Sequence, residues 1–185
     1  MSEGGRKRPE SLAGYFLISE TDLTDPNFYR TVVFMVEHSV EGAFGLVVNR
    51  LSAVHLGEVL DEAADSPIAE MPIYVGGPVE QQYLFSLHSG LPPGISSEHA
   101  VEPAPGIYFE PFSHSILAYL TGDWADEPLE SRATVHIYAG YSGWAPEQLE
   151  SELDADAWLY HKATPDIVFA PNPEEGWKEA LGKKG

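Results

Sequence analysis

The sequence predicts an α+β fold, or an irregular α/β one, organised as a single domain. Two observations carry this expectation. Apolar runs of strand length are interspersed with helical patterns without alternating strictly with them, which argues against a doubly wound parallel sheet. An early pair of apolar runs, residues 31–36 and 43–48, is joined by the short turn Ser39-Val40-Glu41-Gly42, which forces antiparallel pairing.

The elements follow in order. Residues 14–18 read as a strand ending at Ser19. The run 31–36 is apolar throughout and rich in β-branched side chains, the mark of a strand buried on both faces, and residues 43–48 complete the hairpin. Leu56, Val59, Leu60, Ala63 and Ala64 fall at helical spacing and predict an amphipathic helix. Residues 73–75 and 83–87 predict strands flanking a Gly76-Gly77-Pro78 turn. The segment 89–105 holds Pro92, Pro93, Gly94, Pro103 and Pro105 and predicts a loop, with a short strand after it at 107–109.

Ile116, Leu117 and Leu120 predict a short helix that Gly122 ends. Residues 133–139 alternate, with Val135, Ile137 and Ala139 on one face and Thr134, His136 and Tyr138 on the other. This strand is expected to run into a glycine-rich turn and then a helix from Pro146, whose buried stripe is Leu149 and Leu153. Asn172, Pro173 and Glu175 form a capping-box start for a final helix, with Trp177, Ala180 and Leu181 on its inner face. Residues 1–12, partly basic and without periodicity, predict a disordered leader ahead of one domain at 13–185.

Composition narrows the function classes. A chain of 185 residues, 43% apolar, can build one full core. No apolar run approaches the roughly 18 residues of a membrane span, and no hydrophobic stretch follows the charged N-terminus as a secretory signal would require. The absence of cysteine excludes disulfides, thiolate metal sites and thiol catalysis. A cytoplasmic protein without membrane contact is the expectation. Ten Lys and Arg stand against 29 Asp and Glu, for a net charge of −19. Half of the basic residues lie in the terminal tails. A body this acidic repels phosphate backbones, so direct nucleic-acid binding is not expected; it suits solvation, basic partners or dissolved divalent cations.

Four motifs occur in sequence: 25–34 (DPNFYRTVVF), 42–50 (GAFGLVVNR), 75–79 (VGGPV) and 141–149 (YSGWAPEQL). On these the chain resembles the AlgH/YqgE family of bacterial proteins, over about Gly14 to Leu181. The resemblance implies a single α/β domain with a mixed, bifurcated, barrel-like sheet flanked by helices, and a cytosolic protein whose molecular activity is not established. One member gave the family a label as a regulator of transcription in exopolysaccharide synthesis. It supplies no catalytic residues. This chain departs from the pattern at Ala145 and Glu147, where glycines are expected around Pro146.

Gly140-Tyr141-Ser142-Gly143-Trp144 is one residue off the G-x-S-x-G nucleophile elbow, and a serine hydrolase using Ser142, with a base such as His136, is one alternative. Trp144 stands where that elbow needs a small residue. Gly76-Gly77 reads either as an anion-binding backbone nest or as a sharp turn. Asn49 and Arg50, at a buried strand end, read either as ligand contacts or, for Arg50, as an ion-pair partner of Asp25 or Glu37. The seven histidines show no close metal-ligand spacing, and no nucleotide loop is present, so neither metal nor cofactor is expected. The resulting expectation is a non-enzymatic protein acting through a protein partner or a small anionic ligand. Any regulatory role would be indirect. Its candidate contact residues are Asn49, Arg50, Gly76, Gly77, Tyr141 and Trp144, and no catalytic residue is assigned.

Overall fold

The structure, a computed structural model, describes residues 8–19, 30–170 and 180. Among the described residues there are ten strands: β1 Tyr15–Ser19, β2 Val32–Ser39, β3 Gly42–Val47, β4 Leu51–His55, β5 Pro72–Val75, β6 Val79–His88, β7 Val101–Ala104, β8 Ile107–Pro111, β9 Val135–Trp144 and β10 Trp158–Lys162. Short helices punctuate them: α1 Leu56–Val59, α2 His114–Thr121, α3 Asp123–Asp126, α4 Gln148–Asp154 and α5 Pro165–Val168.

The sheet runs β10-β1-β2-β3-β9-β6-β8-β7, and β4 and β5 branch from it. The branch point is β9. One of its edges meets β6, with Leu84 opposite Ala139 and His88 opposite Val135. Its other edge is shared: Ile73–Val75 of β5 runs parallel to residues 137–139, and Ala43–Gly45 of β3 runs antiparallel to 142–144. The sheet is therefore mixed and forked, a nearly closed barrel with helices around it, as the resemblance implies.

Glycines make the fork possible. A Cβ on Gly77 would overlap the carbonyl of Tyr141, and one on Gly76 the carbonyl of Gly140. Gly140 itself takes φ +75°, left-handed backbone that ordinary side chains avoid.

Three apolar cores follow from the strand period of two. On β2, Val32, Phe34 and Val36 face one core while Val33 and Met35 face another, so the strand is buried on both sides. Each such side chain contributes on the order of 1.5–3 kcal/mol by burial. The second face is covered by α4 through Leu149 and Leu153. A third core joins Val135 and Ile137 of β9 to Leu56 of α1, Ile116 and Leu120 of α2 and Trp124 of α3.

Several expectations are corrected. The helix expected from Leu56 to Ala64 splits into α1 and a 3-10 turn, Asp61–Ala63, because Leu60 is extended (φ −126°, ψ 114°). The proline-rich segment 89–105 contains β7, which pairs with β8. Strands β4 and β10 were not foreseen; β4 is largely exposed and carries no alternating signal. The strand expected to end in a glycine-rich turn continues through those glycines to Trp144, and its helix starts at Gln148 instead of Pro146.

Of the stretch 1–12, in which a leader is expected, residues 8–12 are described. Arg8 pairs with Asp154 at 2.9 Å, and Leu12 is fully buried. Asp25 to Tyr29 and the capping box at 172–175 lie outside the described residues, while Ala180 is buried. Among the described residues no helix is long and apolar enough to cross a membrane.

Candidate functional site

The six residues singled out by sequence are mostly committed to the fold. Asn49 accepts the Val32 N–H at 2.9 Å and donates to the Arg30 carbonyl at 3.0 Å, tying β2 to the end of β3. The Arg50 carbonyl accepts from Val75 N–H, and partial burial lowers the affinity of its guanidinium for its proton. Of its two suggested partners, Glu37 is exposed and Asp25 lies outside the described residues. The Gly76 N–H donates to Ala139 at 2.9 Å, so this buried turn offers no nest at that amide. Gly77 sits at the strand crossing already described.

Tyr141 packs among Phe44 and Phe85, at 4.7 and 6.1 Å between ring centroids. Trp144 belongs to the core on the opposite side, where its indole N–H donates to Glu152 Oε1 at 2.9 Å. Trp158 donates to the same oxygen, also at 2.9 Å. One carboxylate thus grips two indoles and fixes α4 to the sheet. None of the six lines any of the four cavities described in the structure.

The hydrolase alternative is not supported by the geometry. Ser142 is fully buried, and its hydroxyl donates to the Gly76 carbonyl at 3.2 Å, not to a base. Two histidine–carboxylate pairs resemble catalytic dyads but are closed. His88 Nδ1 accepts the Gly90 N–H at 3.1 Å, so Nε2 carries the proton and donates to Glu110 at 2.7 Å. His38 is held the same way, between the Leu12 N–H at 2.9 Å and Glu150 at 2.8 Å. Neither imidazole keeps a lone pair for proton abstraction. Among the described residues no three His, Asp or Glu side chains gather as a metal site.

A cavity of about 420 Å³ between Leu60, Tyr83, Leu84, Phe112 and Leu117 is walled mainly by carbon, and its Ser113 hydroxyl already caps α2 by accepting the Ile116 N–H.

A second cavity, about 290 Å³, carries more chemistry; Met71, Tyr74, Trp124, Leu129, Arg132 and His136 line it. The turn at 128–132, closed by Ser131 and Arg132 N–H bonds to the Pro128 carbonyl, folds Arg132 back over α3. Its guanidinium lies 3.7 Å from the centre of the Trp124 ring, and one nitrogen donates to the Trp124 carbonyl at 3.3 Å. The indole is anchored in turn by its N–H to the Ala133 carbonyl at 2.7 Å. Among the described residues Arg132 has no carboxylate partner.

Across the same cavity His136 stacks on Tyr74 (4.8 Å, 19°), with the edge of Phe169 behind it at 5.5 Å. Burial pushes the imidazole down to about 4, so it is neutral at physiological pH. Its Nδ1 is buried without a hydrogen-bond partner, as is the hydroxyl of Tyr138 two residues along the same face. Burial raises Tyr74 and Tyr138 above the usual phenol range.

Sequence reasoning placed His136 and Tyr138 on one face but missed this site. Arg132 was one of few basic residues in an acidic chain, and that scarcity was the available signal. What it touches depends on the turn at 128–132, which no periodicity reveals.

This fold, a mixed α+β domain with a forked, nearly closed sheet, is shared with solved bacterial proteins. The solution structure of the AlgH protein from Pseudomonas aeruginosa superposes with a TM-score of 0.75 at 35% identity, covering 97% of this chain and 92% of that one. A Corynebacterium diphtheriae protein has the same fold at 23% identity and a TM-score of 0.72, over 96% and 90% of the two chains. A UPF0301 protein of Myxococcus xanthus is 37% identical over 180 residues, 95% of this chain and 92% of its own. The AlgH-like family profile matches residues 16–185. The chain belongs to the AlgH-like family.

Proposed function

We propose that this protein is a non-catalytic ligand-binding protein whose site is the Tyr74–Trp124–Arg132–His136 cavity. The observation that carries the reading is Arg132: a guanidinium on a cavity wall, without a carboxylate partner among the described residues, in a chain with 29 acidic side chains. In such a chain an arginine kept for stability would be expected to pair with one of them. Concave sites with aromatic walls and a few converging polar groups are where small ligands bind.

Any influence on transcription runs through a protein partner, in keeping with the net charge of −19, and the site of action is the cytosol. The test is a fragment screen read by backbone-amide NMR, with a parallel panel of ester, phosphate-ester and nucleic-acid substrates. Fragments should shift the amides of Met71, Tyr74, Trp124, Arg132 and His136, with no turnover. Turnover that disappears in Ser142→Ala or His136→Ala, or shifts confined to other places, overturns the reading.

A further inference from the structure

We infer that the Arg132 cavity takes a small planar aromatic monocarboxylate, its carboxylate on the Arg132 guanidinium and its ring against the aromatic walls. The inference rests on the reading of this cavity as a ligand site and names what enters it. Four properties select the class.

The first is charge. Among the described residues that line the cavity Arg132 is the one cationic side chain and none is Asp or Glu, and the imidazole of His136 is neutral. One positive charge balances a monoanion. A phosphate dianion would leave an uncompensated charge in a molecule already at −19.

The second is donor geometry. One nitrogen of the guanidinium is held by the Trp124 carbonyl, and among the described residues the group makes no other hydrogen bond, so an edge remains for a two-point contact with a carboxylate. Its seat over the Trp124 ring and its hydrogen bond to the Trp124 carbonyl hold the guanidinium in place before a ligand arrives, which reduces the ordering cost of that contact.

The third is the wall. Tyr74, Trp124 and His136 present rings and Met71 a thioether, surfaces that favour a flat conjugated face. The stacked Tyr74–His136 pair sets the orientation of one such face. The fourth is size. At about 290 Å³ the cavity is at the lower end for small-molecule sites, room for a single ring with its acid group and not for a nucleotide.

The experiment titrates the full-length protein with benzoate, benzamide, acetate and phenyl phosphate, following amide shifts and thermal stability. Benzoate should saturate shifts at Trp124, Arg132 and His136. Benzamide, which has the shape without the charge, and acetate, which has the charge without the ring, should bind at least tenfold more weakly. Arg132→Gln should lose benzoate binding by tenfold or more, the scale of a charge-assisted hydrogen bond. Arg132→Lys, which keeps the charge and loses the fork, should fall between. If Arg132→Gln does not fold, the wild-type preference for benzoate over benzamide decides the matter. Equal binding of benzamide and benzoate, or tighter phenyl phosphate, overturns the aromatic-monocarboxylate class while leaving the cavity a ligand site. Silence of these amides towards all four probes overturns the class as well, and silence towards the whole fragment set removes the site with it.

Discussion

Glu110 and His88 face each other at 2.7 Å with both side chains essentially out of solvent, and the Gly90 N–H closes the far side of the imidazole. Glu110 also accepts the Ser97 N–H at 2.8 Å, so one carboxylate on β8 holds both His88 at the end of β6 and the middle of the proline-rich segment. Burial alone would raise the Glu110 carboxyl. Hydrogen bonds from Ser97, His88 and Ser96 outweigh it and hold the group below the usual carboxylate range.

Replacing Glu110 by glutamine should therefore be costly despite its similar shape. In either orientation the amide N–H₂ would face a donor, the Nε2–H of His88 or the Ser97 N–H, and the imidazole cannot switch tautomer without confronting the Gly90 N–H. We expect a loss of about 1.5–3 kcal/mol, the range for a hydrogen bond to a charged group, read as a lower urea midpoint. An unchanged midpoint would show that the pair does not hold the segment.

His136 should make the protein acid-sensitive. Its folded pKa of about 4 lies below that of an ordinary histidine, about 6.5. On acidification the unfolded chain takes up a proton that the folded imidazole refuses. Stability from this group is present above the unfolded value and falls as the pH drops from about 6.5 to 4, by roughly 3 kcal/mol in all. Tyr74 and Tyr138 stay neutral across that window, and Arg132 lies on the same cavity. Thermal melts from pH 7.5 to 4.5 should show the decline, and His136→Phe should flatten it. An equally steep decline in that variant would assign the sensitivity elsewhere.

Gly77→Ala should abolish folding, because its Cβ would overlap the backbone of Tyr141 and Ser142, and neither strand can shift without breaking the fork. Gly94→Ala is the control: nothing lies within 4 Å of a Cβ there, so only the strain of its φ of +89° is felt. Circular dichroism of the two variants gives the comparison. A folded Gly77→Ala protein would contradict the crossing.

Glu147 occupies left-handed backbone at φ +69° just before α4. It is one of the two places where this chain departs from the glycines expected around Pro146. Glu147→Gly should relieve the strain and raise stability by up to about 1 kcal/mol, less than the full left-handed penalty because glycine also loosens the unfolded chain. Chemical denaturation would detect it. A destabilised variant would assign the exposed carboxylate a role the structure does not display.

The strands with a repeating burial pattern were legible in the sequence. β2 announced burial on both faces through its unbroken apolar run, and β9 announced two faces through alternation. Strands β4, β7 and β10 were not, because their place depends on partners distant in sequence: β10 pairs with β1 and was not picked out in its own right. The site was harder still. Glycines 76 and 77 stood out correctly as unusual, but the cause is a backbone passing against them, and a glycine needed for close approach looks the same in sequence as one needed to bind an anion. Trp144 and Glu152 were both visible, yet that one carboxylate holds Trp144 and Trp158 together is a fact of packing.

The pairing of Tyr15 with Lys162 sets a limit on synthesis. Strand β1 cannot acquire both of its neighbours until residue 162 has left the ribosome, and β9, which β3, β5 and β6 all require, follows those strands in sequence as well. Contacts so distant in sequence close slowly. During translation the apolar residues of the β2–β3 hairpin therefore wait without their full set of strand partners until residue 162 emerges.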